Sequence, residues 1–118
     1  MEINKKVVVT GPTGVIGTAV INKLIEENCT VYAVIRRESQ RIDNIPIHEN
    51  VHIVYCDITE LKSLPEKIDE KCDIFYHFAW TGTDNPVNRM NMYIQTENIR
   101  YALDGVVAAK GLGCSVFI

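Results

Sequence analysis

Apolar residues along this chain occur in short continuous runs, separated by stretches with helical spacing. The runs are rich in β-branched and aromatic residues, and their apolar side chains occupy consecutive rather than alternating positions. This pattern is typical of parallel strands that are buried on both faces. Five strands are predicted on this basis, at residues 6–10, 30–35, 51–56, 73–79 and 114–118.

The segments between these strands favour helices. Apolar residues recur every three or four positions over residues 15–28, which predicts a helix that ends at Asn28. Residues 57–71 predict one or two short helices. Ser63-Leu64-Pro65-Glu66 fits a capping box with proline inside the first turn.

Residues 90–110 predict one long helix, which Gly111-Leu112-Gly113 ends. Residues 36–50, broken by Pro46, predict a loop with at most one helical turn, and residues 80–89 predict a second loop. Strands thus alternate with helices. The predicted fold class is α/β, a single Rossmann-type domain over residues 1–118: a three-layer, doubly wound parallel sheet of order 3-2-1-4-5.

The long helix is apolar on more than one side. Met92, Ile99, Leu103 and Val106 form one face, whereas Tyr93, Ile94, Tyr101 and Ala108 spread onto others; both tyrosines are interpreted as packing residues. Such a helix is usually covered on several sides. We expect one side to pack on the sheet and another to meet a second subunit. The free edge of the fifth strand offers a second route to a homo-oligomer.

Composition and charge narrow the classes of partner. The 118 residues are 47% apolar and 23% charged, which suits one modest soluble domain. A net charge of −3 gives no reason to expect nucleic acid or an anionic membrane as partner. No apolar run approaches the roughly 18–20 residues of a membrane-spanning helix.

The four cysteines are scattered along the chain. Cys29, Cys56, Cys72 and Cys114 form no C-x-x-C pair, and no histidine stands at zinc-ligand spacing from them. They are interpreted as small buried apolar residues in a reducing compartment, so we expect a cytoplasmic protein without a metal site.

A glycine-rich turn directly joins the first strand to the first helix. Gly11, Gly14 and Gly17 recur every three residues in Thr10-Gly11-Pro12-Thr13-Gly14-Val15-Ile16-Gly17. In this pattern Gly11 turns the chain off the strand, Gly14 lets the backbone approach a pyrophosphate, and Gly17 permits close helix–sheet packing. The amides of Gly14 and Val15 would then face an anion at the helix N-terminus.

Two alternatives stand beside a dinucleotide site. A tight turn without a ligand would use the same glycines. A P-loop is excluded, because no Gly-Lys-Ser/Thr follows to bind a terminal phosphate and magnesium.

The end of the second strand indicates which dinucleotide is bound. An acidic residue there would bind the ribose 2′-hydroxyl of NAD, but this chain has Ile35-Arg36-Arg37. Arginines at that point suit a 2′-phosphate, so NADP is favoured over NAD. The alternative is that one or both arginines are solvated surface charges.

The glycine turn resembles the T-G-x-x-G-x-x-G loop of the extended short-chain dehydrogenase/reductase family, which includes NAD(P)-dependent nucleotide-sugar epimerases and dehydratases. Three further segments resemble the family in the same order: Cys56-Asp57-Ile58-Thr59, Tyr76-His77-Phe78-Ala79-Trp80 and Thr96-Glu97-Asn98. One departure is Met92, where extended members often carry asparagine; Asn91 lies one place off.

The resemblance and the turn together imply a set of cofactor-binding residues. They are Gly11, Thr13, Gly14, Val15, Ile16, Gly17, Arg36, Arg37, Asp57, Ile58, Phe78, Ala79 and Trp80. The family places Asp57 and Ile58 at the adenine and residues 78–80 along the cofactor. Asp57 could instead cap the following helix, and Trp80 could fill a gap under its loop. His77 is interpreted as a packed, hydrogen-bonded histidine.

The resemblance also implies a function. Such enzymes oxidise a sugar hydroxyl with the bound nicotinamide and then reduce the altered keto intermediate. The family's catalytic Tyr-x-x-x-Lys pair, its Ser/Thr and its substrate lobe lie beyond the fifth strand. We therefore expect the domain to be incomplete, this polypeptide alone to have no turnover, and a nucleotide sugar to bind only with further residues. The alternative is a non-catalytic NAD(P)-binding sensor or regulator of the same superfamily.

Overall fold

A five-stranded, entirely parallel sheet forms the centre of the molecule. The computed structural model describes residues 4–118. The strands are β1 (Lys6–Thr10), β2 (Thr30–Ile35), β3 (Val51–Tyr55), β4 (Ile74–His77) and β5 (Val116–Phe117). Their order across the sheet is β3-β2-β1-β4-β5, and every neighbouring pair is parallel. The predicted topology is confirmed.

Helices lie on both faces of this sheet, which confirms the three-layer architecture. They are α1 (Val15–Glu26), α2 (Leu64–Lys67), α3 (Pro86–Met90) and α4 (Met92–Gly111), with 3₁₀ turns at Ile42–Asn44 and Ile58–Ser63. One buried cluster joins α1 to the sheet through Ile21. The other joins α2 and α4 to the opposite face through Leu64 and Ala108.

The end of α1 was predicted at Asn28, and the chain does turn there. The last helical residue is Glu26, and Asn28 adopts a φ of 60°. Asparagine tolerates this left-handed conformation better than most residues. Asn28 therefore turns the chain away from the helix axis as expected, two residues after the last helical residue.

The predicted loop over residues 80–89 contains a helix that the sequence interpretation missed. Asn85 precedes α3, and its side-chain oxygen accepts a hydrogen bond from the Asn88 amide at 2.8 Å. Pro86 occupies the first turn, where a missing N–H costs nothing. Asn85-Pro86 thus begins a helix instead of marking a loop.

The predicted helix over residues 90–110 is interrupted at Asn91. That residue is extended, with φ −80° and ψ 107°, and it separates α3 from α4. Its side-chain oxygen accepts from the amides of Tyr93 at 3.0 Å and Ile94 at 3.3 Å. Asn91 therefore caps α4, a role that the continuous apolar pattern concealed.

The capping box predicted at Ser63 is wrong. Ser63 has helical dihedrals, because residues 58–63 already form a 3₁₀ turn that runs into α2. Its hydroxyl donates to the Glu60 carbonyl at 2.7 Å. The cap lies at Asp57, whose carboxylate accepts from the Thr59 amide at 3.0 Å.

Helix α4 faces the sheet with a narrow stripe and leaves apolar residues on its outer side. Tyr101 is buried, as predicted, but Tyr93 is 88% exposed, so its interpretation as a packing residue is wrong. Met92, Ile99, Leu103 and Val106, the predicted face, are all exposed. Gly105 lets the helix approach β5, since a Cβ there would lie 3.3 Å from the Phe117 ring.

The cysteines are free thiols, three of them buried and Cys114 half-buried. Burial raises the pKa of Cys72 to about 12, as expected for small packed residues. Among residues 4–118, no group of three potential ligands could hold a metal ion. Within the same range, no helix is both long and apolar enough to cross a membrane. The cytoplasmic location stays a prediction.

Candidate functional site

The carboxyl ends of four parallel strands lie along one edge of the sheet. Strands β1, β2, β3 and β4 end at Thr10, Ile35, Tyr55 and His77. The segments that follow them are the glycine turn, Arg36-Arg37, Asp57-Ile58 and residues 78–80. Parallel topology therefore brings the segments singled out in the sequence to the same edge, where doubly wound folds bind ligands.

Gly11 makes the sharp turn off β1, as predicted. Its φ is +65°, a backbone conformation that residues other than glycine seldom adopt. A Cβ at this position would lie 2.8 Å from both the Ala79 amide nitrogen and the Phe78 carbonyl carbon. The turn thus rests directly on the backbone that follows β4.

Gly17 also permits a close approach, but its neighbour is the turn and not the sheet. A Cβ on Gly17 would lie 2.1 Å from the Gly11 carbonyl oxygen and 3.0 Å from Pro12 Cα. The prediction of close helix–sheet packing is corrected accordingly. Gly17 folds the first turn of α1 against the loop that precedes it.

Helix α1 begins with unpaired amides. Gly14 precedes the helix in an extended conformation, provides no side-chain cap, and no acidic residue lies in the first turn. No acceptor among residues 4–118 bonds the amides of Val15, Ile16 and Gly17. The sequence predicted Gly14 and Val15 in this role, whereas the Gly14 amide donates to the Gly11 carbonyl at 3.4 Å.

The space in front of these amides is open. A Cβ on Gly14 would meet only the Gly11 carbonyl oxygen, at 3.7 Å. A hollow of about 300 Å³ lies there, lined by Gly11, Gly14, Val15, Ile16, Gly17 and Phe78. A diphosphate fits these residues, because it would supply the acceptors that the first turn of α1 lacks.

Thr10 holds the glycine turn to β4, a role that the sequence interpretation missed. Its hydroxyl oxygen accepts from the amides of Phe78 at 3.0 Å and Ala79 at 3.1 Å. The same oxygen lies 2.8 Å from Nδ1 of His77. With both lone pairs occupied, the hydroxyl hydrogen is donated to Nδ1, which is therefore unprotonated. The only signal in the sequence was a polar residue at the end of an apolar run.

His77 is a packed histidine, as expected. Burial lowers the pKa of its imidazole, and its ring stacks on Phe117 with 6.1 Å between centroids. Its Nε2 atom is buried without a partner among residues 4–118. These surroundings favour the neutral ring.

Asn44 links the segment before β3 to the glycine turn. Its side-chain amide donates to the Thr13 carbonyl at 3.1 Å. The nearby Ile45 is buried against the α1 face of the sheet. Asn44 thus lies beside the turn, although no local pattern in the sequence indicated this contact.

The two arginines after β2 differ in their surroundings. Arg37 places its guanidinium 4.7 Å from the centroid of the Tyr55 ring. Arg36 is exposed and forms no ion pair among the described residues. The Arg36 guanidinium is therefore more available than that of Arg37 to bind an anion.

Asp57 performs the capping role that the sequence left open as an alternative. Its Oδ1 accepts from the amide of Thr59 at 3.0 Å and from the Thr59 hydroxyl at 2.9 Å. The side chain is thus fixed at the carboxyl end of β3. Ile58 packs against the neighbouring buried cluster.

Trp80 is half exposed and hydrogen-bonded at its tip. Its indole nitrogen donates to Oε1 of Gln95 on α4 at 2.9 Å. The sequence named Trp80 but not Gln95, whose only signal is its position beside Thr96-Glu97-Asn98. Asn98 is fully buried and bonds the backbone of Thr81.

The family model that describes the NAD-dependent epimerase/dehydratase family matches residues 7–118. Among proteins of curated function, none matches the chain.

Similar solved structures are larger enzymes. The Bordetella bronchiseptica enzyme WbmH, in complex with NAD+, superposes with a TM-score of 0.77 at 24% identity, over 98% of this chain and 38% of that one. A UDP-N-acetylglucosamine 4-epimerase from Methanobrevibacter ruminantium, in complex with UDP-N-acetylmuramic acid, gives 0.75 at 24% identity, over 97% and 36%. An epimerase from Methanothermobacter thermautotrophicus gives 0.79 at 23% identity, over 98% and 34%. The chain therefore spans well under half the length of these structures, and the likeness concerns the fold.

Proposed function

Because the chain belongs to the NAD-dependent epimerase/dehydratase family, we propose that it is the cofactor-binding part of an enzyme that acts on a nucleotide sugar. The observation that carries the proposal is the row of unpaired amides at Val15, Ile16 and Gly17, in front of the open face of Gly14. The cofactor is a nicotinamide dinucleotide, favoured as NADP.

The pyrophosphate takes the place of a helix cap. The amides at the start of α1 and the helix dipole both favour an anion there. Gly14 keeps that approach free of side chains. Thr13 and Ile16 belong to the same turn, and the carbonyl of Thr13 accepts a hydrogen bond from the Asn44 side chain.

The adenosine half extends toward β2 and β3. Arg36, and Arg37 in second place, would receive a ribose 2′-phosphate through charge-assisted hydrogen bonds. Arg37 already lies on the Tyr55 ring, so Arg36 carries the larger share. Asp57 and Ile58 would border the adenine, since they follow β3 at the same edge.

The nicotinamide half extends the other way, over the end of β4. Phe78 lines the hollow, and Ala79 is fixed by its bond to Thr10. Trp80 follows with half of its surface exposed. These residues bind and orient the cofactor, which supplies the hydride acceptor for transient oxidation of the sugar.

The chain is also proposed to associate with itself. The exposed apolar residues on α4 and the outer edge of β5, which has no partner strand among residues 4–118, support this proposal. Buried together, the α4 faces of two copies would lose their contact with water.

Calorimetric titration with NADPH, NADH and ADP tests the cofactor proposal. Gly14→Val places a branched side chain into the open space before α1 and should weaken all three ligands at least about tenfold by blocking the diphosphate. The matched control is Ala19→Val, on an exposed position further along the same helix. Equal binding by wild type and Gly14→Val would contradict the proposal.

A further inference from the structure

The Gln95 side chain on α4 forms four hydrogen bonds, three with the segment between β4 and α4 and one with Asn98 on α4 itself. Gln95 Oε1 accepts from the Trp80 indole nitrogen at 2.9 Å and from the Asn98 side-chain amide at 3.3 Å. Its Nε2 donates to the carbonyls of Gly82 at 3.2 Å and Asn88 at 3.1 Å. Every polar atom of the Gln95 amide is thus engaged, which leaves the side chain a single orientation.

The anchor behind Gln95 is rigid. Asn98 has no exposed surface, and its Oδ1 accepts from the Thr81 amide at 2.9 Å and the Thr81 hydroxyl at 3.0 Å. Gly82, at a φ of +78°, packs closely against Gln95, since a Cβ on Gly82 would lie 2.9 Å from Gln95 Nε2. Thr81 and Gly82, in the loop after β4, are thus bonded to Asn98 and Gln95 of α4.

The indole of Trp80 is fixed at its N–H and is half exposed. Its N–H is bonded to Gln95, yet 50% of the residue remains exposed. An aromatic ring that is fixed in this way loses rotamer freedom without gaining full burial. About half of the residue is thus left available to contact a planar group.

Trp80 directly follows the two residues that are bonded to the start of the glycine turn. Thr10 fixes the amides of Phe78 and Ala79, the two residues before Trp80. A dinucleotide whose pyrophosphate rests on α1 and whose adenosine extends over β2 directs its other ring toward this segment.

We propose that Gln95 is a positioning residue, which holds the Trp80 indole in one orientation beside the nicotinamide end of the dinucleotide site. This inference rests on the proposed function, because it requires a bound dinucleotide. Gln95 touches no reacting atom. It acts through the ring of Trp80.

The test compares ligands that differ only in the nicotinamide. NADH is paired with ADP-ribose, and NADPH with 2′-phospho-ADP-ribose, in calorimetric titrations of the 118-residue chain. Gln95→Leu should lower affinity for the reduced dinucleotide about twofold to tenfold relative to its partner ligand, the range expected for loss of one aromatic contact. Trp80→Phe, which keeps the Gln95 bonds to Gly82 and Asn88 but removes the indole N–H, should lower the same ratio. In the double variant the Gln95 effect should disappear.

Fluorescence supplies a second readout, because Trp80 is the single tryptophan of the chain. NADH should quench the indole by energy transfer, and Gln95→Leu should make the indole more mobile in time-resolved anisotropy. Thr96→Ala is the matched control, since it removes only a bond within α4, to Met92, and it should keep the wild-type ratio and anisotropy.

The outcomes separate the two proposals. Normal binding of NADH and ADP-ribose, with a ratio unchanged in Gln95→Leu, would overturn the role of Gln95 and leave the proposed function intact. Absence of binding by all four ligands to the wild type would overturn both. A loss of both partner ligands to the same degree in Gln95→Leu would mean a general structural role, and would also reject the inference.

Discussion

The hydroxyl oxygen of Thr10 and Nδ1 of His77 lie 2.8 Å apart, at the carboxyl ends of the neighbouring strands β1 and β4. The same hydroxyl oxygen accepts hydrogen bonds from the backbone amides of Phe78 and Ala79. One oxygen therefore ties the glycine turn, which begins at Gly11, to the segment that continues β4. This contact sets the distance between the glycine turn and residues 78–80 of the candidate site.

Loss of the Thr10 hydroxyl should destabilise the fold. Thr10→Val preserves shape but leaves the Ala79 amide and His77 Nδ1 without their partner, at a cost of about 2 kcal/mol. Thr10→Ser keeps the hydroxyl and should cost less than about 1 kcal/mol, the value of one methyl group. Urea unfolding followed by circular dichroism measures both. Equal stabilities of the two variants would show that the hydroxyl contributes nothing.

Acid should weaken the protein through His77. Burial lowers its folded pKa, so the unfolded chain binds the proton more readily, and stability falls as the pH drops from about 6.5 toward the folded pKa. Above the unfolded value this contribution is fully present. His77→Asn cannot titrate in that range, and its free energy of unfolding should fall less between pH 7.5 and 5.5 than that of the wild type. Parallel pH curves for the two proteins would exclude His77 as the cause.

Arg36 should select for the 2′-phosphate. Arg36→Ser should weaken NADPH by about 10- to 100-fold, the value of a charge-assisted hydrogen bond, and leave NADH nearly unchanged. Arg41→Ser, at another exposed arginine of the same segment, serves as the control. Titration calorimetry decides the matter. If both cofactors lose affinity equally, the preference for NADP is rejected.

The same added methyl group should affect stability at Gly17 and cofactor binding at Gly14. Gly17→Ala forces a Cβ to within 2.1 Å of the Gly11 carbonyl oxygen, and should destabilise the protein by about 1–3 kcal/mol. Gly14→Ala meets only an ordinary contact at 3.7 Å, and should leave the melting temperature unchanged while it weakens cofactor binding. Differential scanning calorimetry, with and without NADPH, measures both effects. A stable Gly17→Ala would contradict the observed packing of the turn.

The outer face of α4 should mediate self-association. Light scattering at micromolar concentration is expected to give a dimer or higher oligomer. Leu103→Lys, at an exposed position on that face, should shift the equilibrium to monomer, because a charge there would be buried unpaired. Arg100→Lys keeps the charge on the neighbouring exposed position and should not. A monomeric wild type would end this proposal.

The candidate site was predictable where the residues alone impose a backbone geometry. Gly11 has a φ of +65° and Gly17 admits no Cβ, and both constraints appear in the sequence as glycines at fixed spacing. The strands were equally evident, because continuous apolar runs such as Val7-Val8-Val9 are buried on both faces. The family resemblance then indicated which of the remaining segments belong to the candidate site.

The ends and breaks of helices were less visible. Apolar spacing continues across Asn91, so periodicity could not distinguish one helix from the two that its side chain separates. Serine is a common helix cap, but Ser63 is itself the last residue of the preceding 3₁₀ turn and has helical dihedrals. In both cases the deciding factor was where a side-chain oxygen finds an amide, and several positions could have provided one.

By itself the sequence determined the alternation of strands and helices and the turn that opens α1, because burial and backbone freedom leave a mark at each position. Only the tertiary structure decided the partners of polar side chains that are far apart in the chain. Thr10 meets His77 across 67 positions, and Asn44 meets Thr13 across 31. Trp80 and Gln95 meet because the loop after β4 folds back on α4. A hydrogen bond depends on the geometry of both groups at once, and that geometry exists only once the sheet and helices have packed.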